Sequence, residues 1–210
     1  MMSRNQEDTS VGSDRSDDSE PAVGHRPARI VLACLLLPTC WLGMMIVHEA
    51  GHVAGVWVTG GTVTRVVLHP LAISRTDVAP NPNPLLVAWA GPVIGLLLPI
   101  ALWSILAIFR SREAFLARFF AGFCAVANGL YLGIGSFERV GDAGDLLRSG
   151  ASIWHLWLFG ALTTVAGFRL WSGQARSFGF GPDAHRISWR PATTVSVLLT
   201  TILVLELALN

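Results

Sequence analysis

The chain contains no lysine, a single tyrosine and few charges of either sign. Charged residues make up 14% of its 210 positions against 52% hydrophobic, and the mean hydropathy is +0.53. That balance lies outside the usual range of soluble domains and makes a multi-pass membrane protein the expected class. The formal net charge is +1, and no nucleic-acid partner is expected of such a membrane chain. With Cys34, Cys40 and Cys124 odd in number, set in apolar stretches and forming no CxxC pair, neither a disulfide framework nor a thiolate metal site is indicated. They read as small buried hydrophobes. No internal repeat is visible, which speaks against an inverted-repeat transporter. Nor does the start resemble a cleaved signal peptide, since an acidic leader precedes an apolar run too long for a signal core. The exclusive use of arginine suggests a GC-rich bacterial source, and the expected location is a bacterial cell membrane.

What is present divides into two parts. Six of the 14 acidic residues, Glu7, Asp8, Asp14, Asp17, Asp18 and Glu20, fall within the first twenty positions. Residues 1–29 therefore read as a disordered acidic tail with too little apolar surface to order itself. Residues 30–210 read as one membrane-embedded domain. About 20 apolar residues are needed to cross a bilayer, and about five stretches approach this: 30–58, 85–109, 114–134, 153–171 and 193–209, the last with Glu206 near its interfacial end. The expected fold is an all-α polytopic membrane protein of about five transmembrane helices. Between the first two spans, residues 60–84 open on glycines, continue with β-branched residues and close in Asn-Pro turns. They predict a short β-type re-entrant segment. Counting arginines by connection favours a cytoplasmic amino terminus.

Inside the first span, "MMIVHEAGHVAGVW" places His48, Glu49 and His52 in otherwise lipid-compatible sequence. On a helix His48 and His52 stand one turn apart on one face, a spacing at which two imidazoles can grip one metal. Glu49 is rotated by about 100° and can reach a water at that metal without ligating it. This is the HExxH division of labour, in which histidines hold Zn²⁺ and the carboxylate acts as general base. Isolated polar packing is the simpler reading of an intramembrane histidine. Yet one charge at bilayer depth costs about 2.5–3.5 kcal/mol even on the insertion scale, so three ionisable groups within five positions call for a compensating cation. Gly51 with Gly55, and Gly91 with Gly95, form small-xxx-small pairs that let helices approach closely.

A catalytic zinc needs a third protein ligand. No histidine follows at close spacing, which leaves Glu113, Glu138, Asp142, Asp145, His69 and His155 as distant candidates. Of these, Glu113 reads as solvated, and His69 and His155 read as interfacial.

From the first span through Leu147 the chain resembles the site-2 protease family of intramembrane metallopeptidases, especially compact bacterial members. The likeness rests on HEAGH, the glycine-led β-type segment, "AGP" at residues 90–92, and the Asp-containing "GDAGDLL" after the third span. Laying the family's Asp-Gly-Gly-Arg-x-Leu over that segment puts Asp142 on the third zinc ligand, Gly144 on the second glycine and Leu147 on the closing leucine. Asp145, three residues later, is the alternative. Glu138 with Asp142 also fits a gluzincin-type helix, ranked lower because Gly141 and Gly144 disfavour a long regular helix. Family members use an asparagine beside the substrate near the region of Asn128; in this chain a structural hydrogen bond is the expected role. The resemblance implies a zinc metalloprotease that cleaves a membrane-protein substrate within or beside the bilayer, with Glu49 as base and the segment 62–68 holding the substrate by strand addition. The rival from another class is a non-catalytic membrane scaffold or chaperone on the same fold.

Overall fold

In the computed structural model, which describes residues 25–71, 73–180 and 188–209, six α-helices and one β-hairpin account for most of the described chain. The expected tail falls largely on residues 1–24, outside the described residues. The first helix, α1, spans His25–Thr59 and so starts five residues ahead of the apolar run. Strands β1 (Val63–Val67) and β2 (Arg75–Val78) pair antiparallel with Val66 opposite Thr76, forming the hairpin that the β-branched run predicts. Next comes α2 (Pro84–Ile108), whose start is set by Asn83: its side chain accepts from the Leu86 amide, and Pro84 opens the helix. The remaining helices are α3 (Ala114–Glu138), α4 (Gly141–Arg148), α5 (Ile153–Trp171) and α6 (Trp189–Leu209).

Four of these helices, α1, α2, α3 and α6, are long and apolar enough to cross a membrane. The fifth expected span, α5, forms with the bounds expected but is not among them, because His155, Arg169, two threonines and three tryptophans dilute its apolar run. Large apolar side chains face outward, such as Leu97 and Leu102 on α2 and Val197 and Leu205 on α6, whereas His48, Glu49, His52 and Asn128 are buried. Apolar outside and polar inside is the arrangement expected of a bundle solvated by lipid. Glu206, three residues from the end of α6, is 1% exposed and within electrostatic reach of His69. Cys40 and Cys124 are buried as expected, whereas Cys34 is exposed.

Small residues set the helix crossings. A Cβ on Gly51 would lie 2.6 Å from the Ala90 carbonyl oxygen, and one on Gly160 would lie 2.8 Å from the Gly129 oxygen, so α1–α2 and α3–α5 approach backbone to backbone. Arg29 donates to Gly179 O and Arg118 to Ser172 O, which ties together the amino ends of α1 and α3 and the chain that follows α5. Up-and-down connectivity then gathers Arg29, Arg110, Arg112, Arg118, Arg169, Arg176 and Arg190 at one end of the bundle. Arginine excess marks the cytoplasmic side. A reporter at the amino terminus should therefore be shielded from external labelling in intact cells, and one after Asn210 should be accessible if α5 also crosses. Both ends on one side would reduce the crossings to four, and an exposed amino terminus would invert the orientation.

Candidate metal centre

The HEAGH segment lies in the second half of α1, with its histidines turned toward α2, α3 and α4. Four residues apart on one helix, His48 and His52 present Nε2 atoms 3.1 Å from each other. The third member comes from α4. There the chain reverses after α3: Arg139 takes a left-handed conformation (φ 54°), Val140 is extended, and Gly141 again has positive φ (52°). Ala143 and Leu146 of α4 are fully buried against Leu132 of α3 and Leu156 of α5, which fixes the roll of the short helix. Asp142 Oδ2 consequently lies 2.7 Å from His48 Nε2 and 3.3 Å from His52 Nε2.

The outer faces of both imidazoles are held by carbonyl oxygens. His48 Nδ1 donates to Asn128 Oδ1 at 2.7 Å, and His52 Nδ1 donates to the Val87 carbonyl at 2.8 Å. The Asn128 amide is oriented in turn, because its Nδ2 donates to Cys124 O at 2.9 Å. Acceptors on Nδ1 require the proton there, so in the neutral rings both Nε2 lone pairs point at the Asp142 carboxylate. Two ring nitrogens and an anionic oxygen converging on one point call for positive charge between them, which a metal ion or a ring proton can supply. In tetrahedral zinc sites, with arms of about 2.0–2.1 Å, donors stand about 3.3 Å apart; the 3.1 and 3.3 Å edges match that spacing, while the 2.7 Å His48–Asp142 edge is a hydrogen-bond contact that would open around an ion. The group His48–His52–Asp142 can thus hold a metal ion. Without a metal, protons on the imidazoles take the ion's place: burial of Asp142 disfavours its charge, but hydrogen bonds and charge from protonated His48 and His52 outweigh that and hold the carboxyl well below the usual carboxylate range.

Glu49 is 3% exposed and borders the same cavity, of about 1200 Å³, as the three candidate ligands. Its Oε2 accepts from Thr76 Oγ1 of β2 at 2.7 Å, which leaves Oε1 without a partner among the described hydrogen bonds. Close packing of α2 completes the site: a Cβ on Gly91 would run into the His52 ring, which gives the glycine of "AGP" a steric reason.

Of the two aspartates weighed from sequence, the structure brings Asp142 to the histidines and leaves Asp145 exposed, paired with Arg148. Glu138 is exposed at the end of α3, on the far side of the chain reversal. Glu113 sits half-buried at the amino end of α3 and accepts from Ser111, rather than being freely solvated. His155 is exposed, and His69 accepts a local bond from the Leu71 amide. Sequence reasoning missed Thr76, whose place depends on hairpin register, and the Val87 carbonyl, which carries no side-chain signal. It also missed Tyr131, although the only tyrosine standing three residues after Asn128 was a usable clue. No protein-family model, curated protein or solved structure matches this chain.

Proposed function

We propose that this protein is an intramembrane zinc metalloprotease of the site-2 protease type, acting in a bacterial cell membrane on a membrane-spanning substrate. The observation that carries the reading is the meeting of His48, His52 and Asp142 in one cavity with Glu49 at its wall. A bound Zn²⁺ would supply Lewis-acid charge to polarise a peptide carbonyl and activate water. The rest belongs to the chain. His48, His52 and Asp142 hold the ion; Asn128 and Val87 O fix the imidazoles; Glu49 takes a proton from the attacking water at Oε1 and returns it to the leaving amine. Thr76 keeps Oε2 engaged and so aims the carboxylate. A helical substrate hides its carbonyls in its own hydrogen bonds, so it must be extended locally. The hairpin offers a strand edge against which that segment can lie.

Zinc content of purified protein, together with cleavage of a co-expressed membrane substrate, tests this reading. The parent should carry about one zinc and cleave. His48→Ala should lose both, since two remaining ligands do not hold a catalytic ion tightly. A parent that binds no zinc, or a His48→Ala protein that cleaves normally, overturns it.

A further inference from the structure

Asp142 is delivered to the histidines by an eight-residue helix that has no cap of its own. Val140, at the N-cap of α4, is a residue type that offers no side-chain acceptor, and no side-chain cap is present there. The first amides of a helix lack intrahelical partners, and one left unsatisfied near a cavity wall costs stability. The Asp142 amide finds its acceptor elsewhere: it donates to Tyr131 Oη of α3 at 3.2 Å. Gly141 makes room for that contact, since a Cβ there would collide with the Tyr131 hydroxyl. The same tyrosine ring meets the His48 ring edge-on at 5.9 Å between centroids. One face of α3, through Asn128 and Tyr131 three residues apart, thereby braces both His48 and the backbone of Asp142.

We infer that Tyr131 is a positioning residue of the metal centre, its hydroxyl serving as the missing cap of α4 and so fixing Asp142 on the ion. The inference rests on the metal reading above. Outer partners of ligands alter metal affinity by about 10–100-fold, and Tyr131→Phe, which deletes only the hydroxyl, should weaken zinc binding by that range in a competition titration with a chelating dye. Val140 is already extended (φ −109°, ψ 161°), the backbone an N-cap requires. The double variant Tyr131→Phe, Val140→Ser should therefore recover most of the lost affinity, because a serine at that position can accept from the first-turn amides. A tyrosine that merely packs would not be rescued in this way.

A second measurement needs no metal. In metal-free protein, amide exchange across residues 141–146 should quicken in Tyr131→Phe and slow again in the double variant, while exchange across α3 stays unchanged. Zinc affinity within twofold of the parent in Tyr131→Phe overturns the inference, as does a loss that Val140→Ser fails to restore. A parent that binds no zinc removes the metal reading, and exchange at 141–146 then decides alone whether Tyr131 caps α4. Unchanged exchange would reject it.

Discussion

Asp142→Ala is expected to lower zinc affinity by more than about 100-fold, because deleting a ligand should exceed the 10–100-fold cost of losing a ligand's outer partner. Asp145→Ala should bind zinc like the parent. The contrast is sharp because the two aspartates lie one turn apart on the same short helix and differ only in what they face. Asp142 meets two imidazole nitrogens, whereas Asp145 is exposed and paired with Arg148, an arrangement that contributes little at a surface. Folding provides the control: Ala143 and Leu146 anchor α4 in the core and neither substitution touches them. Zinc per protein and chelator competition measure the effect. Equal zinc in Asp142→Ala and parent would reject the ligand assignment, and a larger loss in Asp145→Ala would mean that α4 shifts by about one turn when the ion is bound.

The legible part of the sequence was the part with local periodicity. Apolar runs of span length gave the helices to within a few residues, and β-branched residues between a glycine pair and an Asn-Pro cluster gave the hairpin. The HExxH spacing gave the facing histidines because i and i+4 share a helix face whatever surrounds them. The third ligand was not legible from spacing, since Asp142 and Asp145 are both compatible with one helical face. Only the reversal at Arg139–Gly141 and the burial of Ala143 and Leu146 choose between them. Thr76 shows the same limit more strongly: which residue of β2 faces Glu49 depends on the hairpin register, and a one-residue slip would turn Thr76 away.

Glu49→Gln should leave zinc bound and the protein folded in detergent while cleavage falls by at least about 10²–10⁴-fold, the usual contribution of a placed proton-transfer group. The substitution keeps the side-chain shape, and an amide oxygen can still accept the Thr76 hydroxyl that Glu49 Oε2 accepts at 2.7 Å. It cannot take a proton from water. Because one carboxylate serves both the attack and the departure of the amine, both halves of the reaction lose their proton carrier. Among the described acids at the cavity, Asp142 is held by the histidines, while Asp145 and Asp77, with solvent-accessible side chains, pair with Arg148 and Arg75. This result also separates the protease from a scaffold that uses the same fold, since a partner held by shape and apolar contact should not sense the exchange of one buried oxygen for nitrogen. Cleavage of a co-expressed membrane substrate, read beside zinc stoichiometry, is the measurement. Undiminished cleavage would remove Glu49 from the chemistry, and zinc lost along with activity would move Glu49 from proton carrier to metal holder.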